Sequence, residues 1–276
     1  EADLILAGGQ ESMSRARHAY LSRTGEKKLG NNIFIDTLVN DGLTDAFSKE
    51  HMGITAENVS RKYTVTRQEQ DLFAYQSYVK TYKAIKNKYF KDEMIKSDYK
   101  DQVRSDTTLL KLSQLNAVFK KSGTVTAGNA SSLNDGAAFM MLASADFVKA
   151  NKIKPLAKVL DWSASAGNPD LMGITPITAI QKLMKKMSVN INFFDLIEIN
   201  EAFAATSIAV QRVLEIDPNK LNIAGGAIAL GHPIGCSGTR ILITLAHQLK
   251  RTKLKYGIAS MCIGGGQGLA MAIEKL

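Results

Sequence analysis

The chain has 276 residues, of which 45% are hydrophobic and 22% charged, a composition that excludes an intrinsically disordered protein. Its formal net charge of +9 attracts nucleic acid, anionic lipid and phosphorylated small molecules alike, so it selects no partner class. No apolar run is long enough to span a membrane, and two cysteines are too few for a disulfide framework. We therefore expect a globular, cytoplasmic protein with reduced thiols.

The first part of the chain predicts few regular elements. Residues 3–7 (DLILA) predict a buried strand that ends in a turn at Gly8 and Gly9. Residues 14–50 are polar and poorly periodic, and they predict loops around short elements.

A helix is predicted after residue 66. Thr66 and Glu69 have the spacing of a capping box, in which each side chain binds the backbone N–H of the other residue. The apolar face of this helix is predicted to contain Leu72, Tyr75, Val79 and Tyr82.

From residue 123 onwards, glycine-rich loops alternate with apolar runs. The predicted strands cover residues 137–143, 157–163, 196–199, 222–225, 256–262 and 268–274. The predicted helices begin at Ser144 and at Thr175, which precedes a proline at the first helical position, and cover 201–214 and 235–250. This alternation indicates an α/β fold with a mostly parallel sheet, closed by a hairpin at residues 264–266.

Three polar residues lie at the ends of apolar runs that predict strands. Asn200 follows LIEI, His232 comes one glycine after AGGAIAL, and Cys262 ends YGIASMC. Ligands of open α/β sheets bind at the carboxyl ends of the strands, so we expect these side chains in one cleft. Each residue also has a structural interpretation: a helix cap for Asn200, a loop contact for His232 and an inert buried thiol for Cys262.

Six segments, in family order, resemble the thiolase family. They are GGQESMS at 8–14, HMGITAEN at 51–58, AGNAS at 127–131, NEAF at 200–203, GGAIALGHPIGCSG at 225–238 and CIGGGQG at 262–268. The HMG variant is similar to that of the biosynthetic members, the acetyl-CoA C-acetyltransferases. The resemblance implies an acyltransferase that catalyses reversible Claisen condensation of two acetyl-CoA to acetoacetyl-CoA and CoA.

The resemblance implies catalytic roles for four residues. His232 would activate the nucleophilic cysteine and bind the thioester oxygen, and Asn200 would hold a water at the same oxyanion hole. Cys262 would be the acid/base thiol, and Gly264 would donate its N–H to a second oxyanion hole. These donors suit the chemistry, because an enolate forms from a thioester only when its oxygen is stabilised.

Four further residues match positions that contact coenzyme A. Ser131, His51 and Met52 correspond to residues along the pantetheine arm and the acyl end of the substrate. Arg104 falls where a phosphate-binding arginine is expected, and phosphate binding would give the positive charge a use.

The family fold implies a layered α-β-α-β-α architecture made of two βαβαβαββ halves with an inserted loop domain. On this pattern residues 1–15 end the N-terminal half, 16–132 form the loop domain that binds CoA, 133–152 complete the N-terminal half and 153–276 form the C-terminal half. The N-terminal half is then incomplete, and we expect it to lack the nucleophilic cysteine. Cys236 is interpreted as a packing residue.

The resemblance further implies a homodimer or homotetramer that acts on CoA thioesters, with no other cofactor, no metal, and neither nucleic acid nor membrane as partner. Two alternatives remain: a 3-ketoacyl-CoA thiolase for longer acyl chains, and a thiolase-fold binding or assembly subunit without turnover. The missing nucleophile favours the binding subunit, whereas the intact set of Asn200, His232 and Cys262 favours an enzyme.

Overall fold

The computed structural model describes residues 2–20, 29–31, 33–95 and 103–276. Its strands are β1 Leu4–Ser12, β2 His18–Ala19, β3 Ile35–Asp36, β4 Asp135–Ala143, β5 Ala157–Ala166, β6 Leu196–Ile199, β7 Tyr256–Ile263 and β8 Gln267–Lys275. Its α-helices are α1 Met52–Lys62, α2 Arg67–Lys86, α3 Leu109–Ser113, α4 Ala145–Ala150, α5 Thr175–Met187, α6 Ala204–Val213, α7 Ala227–Leu230 and α8 Ile234–Thr252. Of the predicted loop segment 14–50, residues 21–28 and 32 lie outside the described residues.

The larger sheet has four strands in the order β5-β8-β7-β6. Strands β6 and β7 pair in parallel, whereas β8 is antiparallel to both β7 and β5. The predicted mostly parallel sheet is therefore wrong in its pairings, although β5, β6 and β7 run in the same direction. The reason is the turn at residues 264–266, which returns the chain beside β7 and inserts β8 between two strands of the opposite direction.

Helices α5 and α8 cover opposite faces of this sheet. Leu183 of α5 shares a buried cluster with Ile197, and Leu245 of α8 shares another with Leu196. Successive side chains of a strand point to opposite faces, so the neighbouring residues of β6 enter different cores. Both faces of the sheet are therefore covered, one by α5 and the other by α8.

The smaller sheet pairs β1 with β4 in antiparallel register, from Leu4 opposite Ala143 to Ser12 opposite Asp135. Helix α8 packs against this sheet as well. The described residues thus form four successive layers: α5, the four-stranded sheet, α8 and the two-stranded sheet. This order agrees with an α/β layered fold.

Strand β1 differs from its prediction in two respects. It continues through Gly8 and Gly9, where a turn was expected, because α8 approaches too closely for a side chain: a Cβ on Gly9 would lie 1.9 Å from the carbonyl oxygen of Gly235. The predicted burial of this strand is also wrong, since Leu6 is 68% exposed on the face opposite α8. None of the described elements covers that face.

Helix α2 begins with the predicted capping box, and both reciprocal hydrogen bonds are present. Its predicted apolar face is wrong, because Leu72, Val79 and Tyr82 are about half exposed. The face that is buried carries small and polar residues: Gln70, Asp71, Ala74, Ser77, Tyr78, Thr81 and Ala84. This face carries small residues because the backbone at Gly225 packs closely against it: a Cβ on Gly225 would lie 1.9 Å from Thr81 Oγ1.

Three predicted element boundaries also change. The predicted strand 222–225 is reduced to one bridge between Ile197 and Leu221, and AGGAIAL forms a loop and the short helix α7. The helix predicted from 201 begins at Ala204. Thr175 begins α5 without capping it, because its hydroxyl lies within hydrogen-bond distance of the carbonyl oxygen of Met172.

Within the described part of the chain, no helix is long and apolar enough to cross a membrane.

Candidate active site

The loop that contains AGNAS connects the NEAF and GHP segments through backbone hydrogen bonds. Ser131 donates its N–H to the carbonyl oxygen of Ala202 at 3.0 Å. The carbonyl oxygen of Ser132 accepts the N–H of His232 at 3.1 Å. Three segments that are far apart in sequence therefore meet at the end of β6.

Asn200 and His232 are in direct contact, as the sequence predicts for residues of one cleft. Asn200 Nδ2 lies 3.1 Å from His232 Nε2, and Asn200 Oδ1 is buried with no hydrogen-bond partner. Burial lowers the pKa of His232 to about 4, and the positive charge of Arg240 acts in the same direction. The imidazole is therefore neutral at pH 7, with one ring nitrogen able to accept a proton.

Cys262 lies near the end of β7, in a buried cluster that also contains Ala202 and Phe203 of the NEAF segment and Ala130 of the AGNAS segment. Burial raises the pKa of its thiol to about 11, so Cys262 is a thiol at neutral pH. A thiol in this state is a proton donor to a group that gains negative charge nearby.

Met52 brings the HMG segment to the same cluster. It packs against the group that holds Cys262, and a Cβ on Gly264 would lie 2.6 Å from Met52 Cε. The side chain of Met52 therefore packs directly on the backbone of Gly264. Two residues predicted for different roles, one catalytic and one for substrate binding, are thus neighbours.

His51 has a fixed ring at the start of α1. Its Nδ1 accepts the N–H of Gly53 at 3.0 Å, and its ring stacks on Phe119 with 4.6 Å between centroids. Phe119 in turn makes an edge contact with Phe203, at 6.2 Å. Partial burial lowers the pKa of His51. An aromatic contact chain therefore links His51 to the NEAF segment.

Arg104 lies in the exposed segment that precedes α3. Its positive charge acts on Tyr78 and Asp106, and its carbonyl oxygen accepts the hydroxyl of Thr107. The described hydrogen bonds and ion pairs of Arg104 do not join it to His232 or to the other residues of the cleft.

Glu201 is a site residue that the sequence reasoning missed. Its buried carboxylate accepts the hydroxyl of Ser77 at 2.6 Å, the side-chain N–H of Asn222 at 2.9 Å and the backbone N–H of Ile228 at 3.2 Å. It therefore joins α2 to the first turn of α7, which leads into His232. The sequence signal that could have identified Glu201 is an acidic residue inside the otherwise apolar segment NEAFAA.

Ser237 is the second missed residue. Its hydroxyl oxygen lies 2.6 Å from His232 Nδ1 and 2.9 Å from the carbonyl oxygen of Pro233. It is fully buried in the first turn of α8. The sequence signal is a serine four residues after Pro233, where a helical hydroxyl reaches back to a carbonyl.

The layered sheets, the contact between Asn200 and His232 and the packing of Cys262 against the NEAF segment are those of an α/β protein of the thiolase architecture. The family model for the thiolase N-terminal domain matches residues 1–146, and the model for the thiolase C-terminal domain matches residues 153–275. The chain belongs to the thiolase family.

Individual relatives agree with this assignment. The chain is 44% identical to an acetyl-CoA acetyltransferase of Chromobacterium violaceum and 46% identical to a "Probable acetyl-CoA acyltransferase" of Staphylococcus aureus, covering all of this chain and 73% of each relative. Among solved structures, the acetyl-CoA acetyltransferase of Bacillus anthracis matches all of the chain and 72% of its own, with a TM-score of 0.95 and 41% identity. Human mitochondrial 3-ketoacyl-CoA thiolase in complex with CoA matches all of it and 71% of its own, with a TM-score of 0.95 and 43% identity.

Proposed function

We propose that the protein is an acetyl-CoA C-acetyltransferase, which interconverts two acetyl-CoA with acetoacetyl-CoA and CoA. The observation that carries the proposal is the contact between Asn200 and the neutral imidazole of His232, next to the segment that holds Cys262. The names of the bacterial relatives support the same activity.

His232 and Asn200 would stabilise negative charge on the thioester oxygen. Asn200 Oδ1 is buried and free to accept, so it is suited to hold a water that donates to this oxygen. Each donor aimed at a developing oxyanion contributes about 3 kcal/mol to transition-state stabilisation. Gly264 would supply a backbone N–H to a second oxyanion.

Cys262 would exchange the proton at the α-carbon. In thiolytic cleavage its S–H bond breaks and the proton goes to the enolate of acetyl-CoA, which becomes the leaving thioester. The raised pKa of Cys262 makes the thiol the resting form, so cleavage starts directly from it. Condensation requires the thiol to lose its proton before it removes one from acetyl-CoA.

A second thiol must accept the acyl group, because covalent transfer divides the reaction into two easier steps. Cys236 is buried beside Gly136, and burial raises its pKa, which disfavours the nucleophilic thiolate. Cys236 is therefore a packing residue and does not take this role.

Coenzyme A would bind along Ser131, His51 and Met52, with its phosphates near Arg104. We expect Arg104→Ala to weaken CoA binding several-fold and to make it less sensitive to salt, because one charge contact is lost. Isothermal titration with CoA at two salt concentrations measures both effects. An unchanged affinity would remove Arg104 from the site.

The remaining parts of the proposal concern assembly and environment. We propose a homodimer or homotetramer, which light scattering of the purified protein distinguishes. We propose a cytoplasmic location, since both thiols are free and the CoA substrates belong to a reducing compartment. The reaction needs only proton and acyl transfer, so we include no bound cofactor or metal.

The activity is tested with purified full-length protein, acetoacetyl-CoA and CoA, by following the loss of enolate absorbance. We expect turnover, and we expect kcat to fall by about 10²–10³ in His232→Ala and in Asn200→Ala. Exposed His18→Ala is the matched control and should keep full activity. No turnover by a folded, full-length protein that still binds CoA would instead support the binding subunit.

A thiolase for longer 3-ketoacyl-CoA substrates remains the alternative; the human mitochondrial enzyme of that name matches the chain with the same TM-score as the Bacillus anthracis acetyl-CoA acetyltransferase, so the structural match does not favour it. A series of 3-ketoacyl-CoA substrates separates the two candidates. Activity that falls steeply beyond four carbons supports the acetyltransferase, and activity that rises with chain length supports the alternative.

A further inference from the structure

We propose that Ser237 is a positioning residue that holds His232 in the tautomer protonated on Nδ1, so that Nε2, on the side of Asn200, is the unprotonated nitrogen. Its effect on catalysis rests on the function proposed above. The tautomer itself is a property of the folded protein and is measurable without turnover.

The first observation is the hydrogen bonding of the Ser237 hydroxyl. Its oxygen lies 2.9 Å from the carbonyl oxygen of Pro233 and 2.6 Å from His232 Nδ1. A hydroxyl has one proton to donate, and a carbonyl oxygen can only accept. When Ser237 donates this proton in a hydrogen bond to the Pro233 carbonyl oxygen, its Oγ can only accept from Nδ1. Nδ1 then carries a hydrogen.

The second observation is on the other side of the ring. His232 Nε2 lies 3.1 Å from Asn200 Nδ2, an amide nitrogen that only donates. Nε2 must therefore be the acceptor of this pair. The contacts of Asn200 and of Ser237 favour the same tautomer, and each supplies part of the preference.

The opposite tautomer would lose hydrogen bonds at both ends. An N–H at Nε2 would point at the N–H groups of Asn200, and Nδ1 would need the Ser237 proton that now binds Pro233. The ring is also neutral, since burial lowers the pKa of His232 to about 4, so it carries a hydrogen on only one nitrogen.

The catalytic consequence is a base whose lone pair is already oriented. In the proposed reaction the S–H bond of the acyl-accepting thiol breaks and its proton forms a bond to Nε2. This leaves a thiolate and an imidazolium whose Nδ1–H still donates its hydrogen bond to Ser237 Oγ. Ser237 acts through His232 and does not contact the reacting atoms in this step.

The test measures the ring ¹⁵N shifts of His232 in full-length protein labelled with ¹⁵N-histidine, assigned by comparison with His232→Gln. We expect the wild type to show a protonated Nδ1 and an unprotonated Nε2. In Ser237→Ala the two shifts should move towards each other, because the ring loses its Nδ1 acceptor and exchanges between tautomers.

Ser163→Ala is the matched control. Ser163 is also buried and donates its hydroxyl to a backbone carbonyl, that of Ala179, but it lies on β5 and binds no histidine. Its loss should leave the His232 shifts unchanged. Ser237→Ala should also lower kcat about tenfold with KM little changed, and Ser237→Thr, which keeps the hydroxyl, should recover most of this loss.

A protonated Nε2 in the wild type would overturn the proposal, and this result does not depend on the folding of Ser237→Ala. Unchanged His232 shifts in folded Ser237→Ala would overturn it as well. If the shifts behave as expected but the wild type does not turn over acetoacetyl-CoA, the proposed function fails and the role of Ser237 as a tautomer anchor stands.

Discussion

The two sheets contact α8 in different ways. On the four-stranded sheet, α8 buries apolar side chains, and Leu245 and Leu249 are both fully buried there. On the two-stranded sheet the contact is between backbones: a Cβ on Gly235 would lie 2.4 Å from the carbonyl oxygen of Gln10, and Gly9 faces Gly235 in the same way.

On α8, the apolar contacts contribute mainly to the stability of the fold, and the backbone contacts determine where the helix begins. Buried apolar area stabilises the fold in proportion to its size and tolerates small shifts of the helix. A backbone contact buries less area, but it leaves no space for a side chain between β1 and the start of α8, and we infer that it sets the position of this end of the helix. His232 and Ser237 lie at this fixed end.

The largest expected effect is on the side of the four-stranded sheet. Leu245→Ala should lower the free energy of unfolding by about 2–5 kcal/mol, through lost burial and the cavity that remains. Activity per folded molecule should be unchanged. Denaturant unfolding and kcat measure the two quantities, with exposed Leu110→Ala as the control that should change stability by less than about 0.5 kcal/mol.

The next effect is on the side of the two-stranded sheet. Gly9→Ala should cost about 1–3 kcal/mol of stability, since the new methyl group overlaps the Gly235 carbonyl. Unlike Leu245→Ala, it should also lower kcat, because α8 must move together with Ser237. Gly42→Ala is the control, as its nearest atoms would lie at 3.9 Å. If Gly9→Ala keeps full activity, the glycine contact does not position the site.

The third effect depends on pH and concerns the one carboxylate of β6, Glu198. Burial raises its pKa to about 8, against the opposing charge of Arg240. The folded state therefore keeps a proton between about pH 4.5 and pH 8 that the unfolded state loses, and Glu198 lowers stability as pH rises through this range, by at most about 1.4 kcal/mol per pH unit.

Glu198→Gln cannot ionise, so its Tm should exceed that of the wild type by a margin that grows from pH 5 to pH 8. Thermal melts at several pH values measure this margin. Exposed Glu50→Gln should follow the wild type at each pH. A margin that does not depend on pH would show that Glu198 is ionised throughout.

Elements with a strong local pattern could be predicted from the sequence. The capping box of α2, strand β6 at 196–199 and the serine cap of α4 at Ser144 are confirmed. Each depends on side chains within a few residues, so one sequence contains the whole signal. The sequence predicts only that Asn200 and His232 share a cleft at strand ends, and the run before His232 forms a loop and α7 instead of a strand.

The remaining features depend on contacts between distant segments. AGGAIAL has the composition of a strand, but Glu201 accepts an N–H in its first helical turn and stabilises α7 instead. Helix α2 buries Ser77 rather than Leu72 because Ser77 donates to that same carboxylate. From the local sequence alone, Gly9 predicts a turn. Its position inside strand β1 is explained only by the close approach of α8. No local periodicity contains this information.

The position of β8 between β5 and β7 has a consequence for folding kinetics. Ala157 lies opposite Lys275, so these paired residues are about 120 residues apart in the chain. Closing so long a loop is entropically costly and slow, and during synthesis β5 emerges well before its partner. Until β8 arrives, the edge of β5 that it will cover is open to pairing with other chains, as is β1 until β4 arrives, so these two strands expose the nascent protein to aggregation.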